Sequence, residues 1–182
     1  RAADLTRQML AYSGRGRFVV RQVDLDGVVE EMAGLLRISI SKSAVLQLQL
    51  DRKLPWIEAD LVQIQQIVMN LITNASEAIG DRVGSITIRT SHEDYAAATL
   101  EESCLGEKCP PGRYVCLEVI DTGCGMDTNT RLRLFDPFYP PKFAGRGLGM
   151  AVVLGVVRGH RGAILLSSQP GAGTRIRVLF PA

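Results

Sequence analysis

A carboxylate and two glycines follow a strand-like run in the middle of the chain. Residues 114–120 alternate in side-chain character, which predicts a strand, and Asp121, Gly123 and Gly125 come directly after it. A carboxylate at a strand end can accept a hydrogen bond from an amine edge, and glycines let the backbone approach a flat ligand. An ordinary turn is the commoner origin of such a run, so its interpretation depends on the other motifs.

Two asparagines lie four residues apart on a predicted helix. Asn70 and Asn74 are therefore neighbours on one face, and together they lower the helix propensity by roughly 1 kcal/mol. Either they belong to a solvated polar face, or their amide oxygens bind a Mg²⁺ ion that phosphate oxygens and water also hold. Asp60 is the candidate N-cap of this helix, with Gln63 as its capping-box partner. The predicted core face comprises Leu61, Ile64, Val68, Leu71, Ile72, Ala75 and Ile79.

A third motif opens another helix with glycines. Residues 145–150 read Gly-Arg-Gly-Leu-Gly-Met and lead into an apolar helix over residues 151–158. Free backbone amides, the positive end of a helix dipole and the lack of side chains suit a phosphate group. A flexible loop joined to a core helix is the open alternative. Residues 127–146 lack clear periodicity, which favours a lid, and Lys142 on it could reach a phosphate as a point charge.

Further helices and strands must position these residues. Asp24 is the candidate N-cap of a helix that runs to Leu36. Four more strands are predicted, at residues 45–50, 85–91, 163–168 and 174–180, the last two joined by a turn at residues 169–173. Residues 93–112 are interpreted as a hairpin insertion without chemistry. Of the two histidines, His92 is predicted to lie on the surface and His160 to cap the helix before it.

Composition argues against several classes of function. A chain of 182 residues, 46% of them hydrophobic, supports one domain of ordinary size. A net charge of +2, with scattered basic residues, argues against a nucleic-acid surface. No apolar run approaches the ~20 residues that span a bilayer, and no signal peptide opens the chain, so we expect a soluble fragment. The four cysteines are expected to be reduced thiols in a cytosol-like compartment rather than a disulfide framework.

The order of the motifs resembles the ATP-binding catalytic domain of bacterial sensor histidine kinases, a branch of the GHKL ATPase superfamily. The matching segments are QQIVMNLITNASEA for the N box, DTGCGM for the G1 box, LFDPFYPPK for the F box, GRGLGMA for the G2 box and GAGT for the G3 turn. The resemblance implies an α+β fold, a two-layer α/β sandwich of the Bergerat type with a mixed, mainly antiparallel sheet and a flexible ATP lid.

The same resemblance implies a division of the chain. Residues 18–182 would form the catalytic domain, and residues 1–17 would be the tail of a preceding dimerisation helix with its linker. A packed N-terminal helix of the catalytic domain itself is the alternative for the first segment.

The resemblance also implies a role for each motif residue. Asp121 would accept from the adenine amino group, and Thr174 would support the same end through water. Asn74 would be the magnesium ligand, while Asn70, one turn earlier, would face the phosphates and is the catalytic candidate. The other residues implied to bind the nucleotide are Gly123, Gly125 and Met126 at the adenine, and Lys142, Arg146, Gly147, Leu148 and Gly149 at the β- and γ-phosphates.

The implied reaction transfers the γ-phosphoryl group of Mg·ATP to a histidine on a dimerisation domain, and then to an aspartate of a response-regulator receiver domain. Neither His92 nor His160 stands in the context of a phospho-accepting histidine, so we expect this chain to bind ATP without phosphorylating itself. The whole protein is expected to be a homodimer and this chain a monomer. Its expected location is the cytoplasm, with or without a membrane anchor upstream.

Two other classes of function stay open. One is a degenerate nucleotide-binding or interaction module, and the other is a GHKL-type ATPase or an anti-sigma-type serine kinase. The hydrolytic relatives place a glutamate, which activates water, where this chain has Asn70, and the anti-sigma kinases lack the complete F box. Residues 139–141 of the F box read Tyr-Pro-Pro instead of the usual aromatic-Thr-Thr, which removes two hydroxyls and two backbone donors and stiffens the lid.

Overall fold

The computed structural model describes residues 19–40, 43–105, 109–137 and 148–182. The predicted helix tail and linker at residues 1–17 lie outside these ranges. The second half of the predicted lid also lies outside them, together with three predicted site residues, Lys142, Arg146 and Gly147.

The described residues form seven strands and five helices. The strands are β1 (Arg21–Val23), β2 (Ala44–Gln49), β3 (Ile57–Ala59), β4 (Gly84–Tyr95), β5 (Gly112–Asp121), β6 (Ala163–Gln169) and β7 (Gly173–Pro181). The helices are α1 (Leu25–Leu36), α2 (Leu61–Ile79), α3 (Ala97–Leu100), α4 (Thr128–Arg133) and α5 (Gly149–Gly159). None of these helices combines the length and apolar character needed to cross a membrane.

One layer of the fold is a five-stranded sheet in the order β2-β4-β5-β7-β6. Strands β2 and β4 run parallel, and the pairs β4–β5, β5–β7 and β6–β7 run antiparallel. Strands β1 and β3 form a separate antiparallel pair. The predicted α+β fold with a mixed, mainly antiparallel sheet is therefore confirmed.

Helix α2 is central to the second layer, where it contacts α1 and α5 as well as strands β4 and β5. Its buried residues are Ile64, Ile67, Val68, Leu71, Ile72, Ala75 and Ile79. The prediction differs at two positions, since Ile67 is fully buried and Leu61 only partly buried. Helices on both flanks widen the buried face of α2 beyond the stripe that meets the sheet.

Asp60 caps the N-terminus of α2, as predicted. Its Oδ1 accepts from the backbone amides of Val62 and Gln63. The predicted capping box is wrong. The Asp60 N–H donates to Nε2 of His160 at 3.0 Å, while Gln63 Oε1 is buried without a hydrogen-bond partner in the described structure. His160 also caps its own helix, α5, as predicted, with Nδ1 2.8 Å from the Val156 carbonyl. One imidazole therefore joins the end of α5 to the start of α2.

Two other local predictions need correction. Asp24 occupies the N-cap position of α1, but its side chain makes no capping hydrogen bond. Residues 127–146, predicted to lack periodicity, contain helix α4, which Asp127 caps by accepting from the Thr130 N–H at 2.7 Å. A helix of six residues is too short to show the apolar spacing that sequence analysis depends on.

Strand β4 continues past the predicted end at residue 91 and pairs with β5 as far as Tyr95 and Gly112. His92 therefore lies within a strand, where its Nδ1 is 3.0 Å from Oδ2 of Asp51. Both side chains are about one-third exposed, which is consistent with the predicted surface position of His92.

Residues 103 and 104 of the insertion between β4 and β5 lie along the edge strand β6. Leu100 packs in a cluster with Tyr114, on β5, whereas Leu105 belongs to the main core beneath the helices. Between them, the Cys104 N–H donates to the Ile164 carbonyl at 2.9 Å. The insertion covers backbone groups that an open sheet edge would leave unpaired. None of the four cysteines, all of which lie in the described ranges, forms a disulfide.

Candidate functional site

Asp121 is a buried carboxylate at the end of the central strand β5. It is 6% exposed and lies opposite Ile86 of β4 and Thr174 of β7. Its Oδ1 accepts from the Gly123 N–H at 2.7 Å. Burial raises the pKa of Asp121 to about 6, although hydrogen bonds from the backbone amides of Gly123 and Thr174 act in the opposite direction. A buried carboxylate of this kind suits a ligand that donates a hydrogen bond.

The glycines after Asp121 are required by the packing of the loop itself. A Cβ on Gly123 would lie 2.6 Å from Asp121 Oδ1 and 2.7 Å from Ala78 Cβ. Gly125 has φ +63°, and a Cβ there would lie 1.8 Å from the Gln169 carbonyl oxygen. Both positions exclude a side chain. The close backbone approach in this loop is to the protein's own groups, and approach to a flat ligand stays a prediction.

The loop that follows β5 is held between α2 and the β6–β7 turn. The Cys124 N–H donates to the Ala78 carbonyl at 2.9 Å, and the Cys124 carbonyl accepts from the Gly171 N–H at 2.7 Å. Thr122 fixes the start of the loop, since its Oγ1 accepts from the Ser85 N–H at 2.9 Å and its own N–H donates to the Ser85 carbonyl at 3.1 Å. The segment is therefore bonded to three neighbouring elements.

Ser168 is a site residue that the sequence analysis missed. It is buried near the end of β6, and its Oγ accepts from the Met126 N–H at 2.9 Å. The same oxygen lies 3.0 Å from the Gly173 carbonyl and 3.0 Å from Thr174 Oγ1. A serine two residues before a Pro-Gly turn has no distinctive pattern, so only the strand register brings it beside Thr174.

The other predicted cluster joins α2 to the start of α5. Asn70 Nδ2 donates to the Gly149 carbonyl at 3.1 Å. A Cβ on Gly149 would lie 3.4 Å from Asn70 Oδ1, an ordinary van der Waals distance, so this contact does not itself require a glycine. Leu148 is the N-cap residue of α5, and the amides of the first turn have no acceptor within the helix. Asn74 lies one turn beyond Asn70 and is half-buried.

Helix α2 connects the two clusters. Its C-terminal end meets the Asp121 loop at Ala78, and Asn70 meets α5 eight residues earlier, about 12 Å away along the helix axis. One end therefore offers a buried acceptor, and the other offers amide groups and the positive end of a helix dipole. A ligand with an amine-bearing base and an anionic tail has chemistry that matches both ends.

The second cluster offers side-chain amide oxygens, which are hard ligands of the kind that Mg²⁺ accepts. The described residues contain no group of three or more His, Cys, Asp or Glu side chains placed to hold a metal. Mg²⁺ commonly takes one or two protein oxygens and completes its shell with water and substrate phosphates. The amide oxygen of Asn74 is suited to such a site.

Comparison with known proteins connects this site with one family. Residues 59–182 match the family described as histidine kinase-, DNA gyrase B-, and HSP90-like ATPase. The chain is 35% identical to the sensor kinase CckA of Brucella abortus, over all of this chain and 19% of that protein. It is 30% identical to the signal transduction histidine-protein kinase AtoS of Escherichia coli, over 96% of this chain and 26% of that protein. The chain thus spans about a fifth to a quarter of these relatives.

Solved structures share the fold. Full-length ShkA in complex with AMPPNP superposes with a TM-score of 0.74 at 22% identity, over 99% of this chain and 35% of that one. The catalytic domain of the histidine kinase ThkA, in a nucleotide-free form, gives a TM-score of 0.69 at 24% identity, over 89% of this chain and 95% of that one. Since the family match covers more than half of the chain, this protein belongs to the histidine kinase-, DNA gyrase B- and HSP90-like ATPase family.

Proposed function

We propose that this chain is the ATP-binding catalytic domain of a two-component sensor histidine kinase. The observation that carries the proposal is the pairing of a buried Asp121 carboxylate with the Asn70–Gly149 contact, at two points of one helix. Two relatives are named as sensor kinases, and their aligned regions cover nearly all of this chain. These names support the same function. The cytoplasm is the proposed location, because ATP and the phosphate-accepting partners are found there.

The base of ATP would lie at the Asp121 end. There the carboxylate accepts from the 6-amino group, with Gly123, Gly125 and Met126 beside the ring and Thr174 next to the carboxylate. Asp121 accepts most strongly in its ionised form, and a hydrogen bond from the ligand amine would offset part of the cost of burying that charge.

The phosphates would lie at the start of α5. The amides of Gly147, Leu148 and Gly149, with Lys142 and Arg146 of the lid, would hold the β- and γ-phosphates. Asn74 would bind Mg²⁺ through its amide oxygen. When bound, Mg²⁺ neutralises charge on the phosphate oxygens. Asn70 orients the start of α5 through Gly149, and its amide is too weak a base to activate water.

The reaction that follows is a phosphoryl transfer to another domain. A neutral imidazole nitrogen on the dimerisation domain bonds to the γ-phosphorus, while the bond from that phosphorus to the bridging oxygen breaks and ADP leaves with that oxygen. The imidazole is already nucleophilic, so this domain contributes alignment and charge neutralisation. A response-regulator receiver aspartate is the proposed next acceptor, and a homodimer is the proposed state of the whole protein.

Phosphotransfer to a separate dimerisation domain tests the proposal. The chain would be mixed with the dimerisation helix pair of the same protein and ATP labelled at the γ-phosphate. We expect acid-labile label on that helix pair and none when its phospho-accepting histidine is replaced by glutamine. Label released only as inorganic phosphate would overturn the kinase assignment in favour of hydrolysis. ATP binding without any release or transfer would overturn it in favour of a binding module.

A further inference from the structure

Three side chains from adjacent strands lie in one row at the base end of the site. Ser168 of β6 is opposite Thr174 of β7, and Thr174 is opposite Asp121 of β5. All three are buried, at 4%, 8% and 6% exposed, respectively. The proposed function uses Asp121 and Thr174 but gives no role to Ser168.

Counting protons fixes the direction of the hydrogen bonds in this row. Ser168 Oγ has one proton and two lone pairs. It accepts from the Met126 N–H, and its two remaining contacts are with the Gly173 carbonyl, which can only accept, and with the Thr174 hydroxyl. The Ser168 hydroxyl, the Thr174 hydroxyl and the Gly173 carbonyl all have hydrogen-bond partners when Ser168 donates to the Gly173 carbonyl and Thr174 donates to Ser168 Oγ. The Thr174 hydroxyl then has only lone pairs left for other partners.

We propose that Ser168 is a specificity-determining residue, which selects a 6-amino purine over a 6-oxo purine by holding the Thr174 hydroxyl as an acceptor beside Asp121. The inference rests on the proposed function, because it needs the base of the nucleotide at this end. Two neighbouring acceptors favour a group that donates, such as the 6-amino group of adenine. The 6-oxo group of hypoxanthine would place a third acceptor against them.

Ser168 is a positioning residue in this account, since it acts through Thr174 and touches no part of the base. Losing its hydroxyl also frees the Met126 N–H, which should weaken binding of every purine nucleotide alike. The ratio of two affinities separates these effects. A purely structural role changes both affinities, whereas the specificity role changes their ratio.

The experiment compares the non-hydrolysable β,γ-imido analogues of ATP and ITP by calorimetry with Mg²⁺. For Ser168→Ala we expect the preference for the ATP analogue to fall about tenfold, the value of one well-placed hydrogen bond. Ser168→Thr, which keeps the hydroxyl, should retain the preference. The matched control is Ser167→Ala, the exposed neighbour on the other face of β6, which should behave as wild type.

A double-mutant cycle with Thr174→Val makes the test specific. Thr174→Val alone should lower the preference to the same extent, and adding Ser168→Ala should change it no further. An unchanged ratio in Ser168→Ala would overturn the inference while leaving ATP binding intact. If Ser168→Ala fails to fold, an unchanged ratio in Thr174→Val would overturn it equally. Wild type that binds neither analogue would instead contradict the proposed function itself.

Discussion

Asn70 donates its side-chain amide to the backbone carbonyl of Gly149 across 3.1 Å. The bond connects the middle of α2 to Gly149, the first residue of α5. The sequence suggested a phosphate-facing catalytic role for Asn70. The observed contact gives it a role in positioning the start of α5, and this role can be measured without nucleotide.

Replacing Asn70 by alanine should loosen the start of α5. We expect hydrogen exchange of the Val152 amide, which donates to the Leu148 carbonyl at the start of α5, to become about tenfold faster in Asn70→Ala, because one hydrogen bond that holds this turn is lost. Thr73→Ala, at an exposed position of the same helix, should leave exchange there unchanged. Equal protection in Asn70→Ala and wild type, both free of nucleotide, would argue against the positioning role.

Replacing Asp121 by asparagine should stabilise the nucleotide-free protein at pH 8. The folded-state pKa is raised from 3.8 to about 6, so this group favours folding below pH 3.8, and that stability is lost as pH rises through about 6. A difference of about two pKa units corresponds to about 3 kcal/mol, which Asp121→Asn should largely recover at pH 8. The two proteins should be equally stable near pH 3.5. Urea unfolding at both pH values measures the difference, and equal midpoints at pH 8 would refute the expected destabilising effect of the charge.

Two glycines in the β6–β7 turn should respond differently to alanine. Gly173 has φ +83° and a Cβ there would lie 1.9 Å from the Asp121 carbonyl oxygen, so Gly173→Ala should destabilise the fold by about 3 kcal/mol or more. Gly171 has φ +77°, but no atom lies within 4 Å of the point that a Cβ would occupy, so Gly171→Ala should cost only about 1 kcal/mol. Thermal unfolding compares them, and equal losses would show that backbone conformation alone governs this turn.

His160 should matter more for stability than His92. His160→Ala removes the acceptor for the Asp60 N–H and a contact with the Val156 carbonyl, which should cost about 2 kcal/mol. His92→Ala removes a partly exposed pair with Asp51, which should cost less than about 1 kcal/mol. Denaturant unfolding of the two variants gives the comparison. A larger loss for His92→Ala would contradict the interhelical role of His160.

The sequence predicted the parts of the site that depend on local pattern. Alternation and capping preferences involve neighbouring residues, so they predict Asp121 at a strand end and Asp60 as a helix cap, and the structure has both. Ser168 and the bond from Asp60 to His160 were not predictable, since they join residues far apart in sequence. The register of β5, β6 and β7 and the packing of α5 against α2 create these contacts, and no local spacing encodes them.

The end of the insertion between β4 and β5 is another place where the sequence pattern does not predict which residue is buried. Leu105 lies in a polar, irregular stretch that gives no periodic signal, yet its side chain is buried in the main core. A single apolar residue in a loop can fill a gap between elements that have already formed. Such a position follows from the assembled fold, not from the loop sequence.

Calorimetry with the β,γ-imido analogue of ATP and Mg²⁺ tests the central claim most directly. The wild-type chain should bind the analogue, and Asp121→Asn should bind it at least about tenfold more weakly, because a charged acceptor is replaced by a neutral amide. Asp94→Asn, an exposed acid at the far end of β4, is the matched control and should bind as wild type does. Binding by Asp121→Asn as tight as that of wild type would contradict a base pocket built on Asp121.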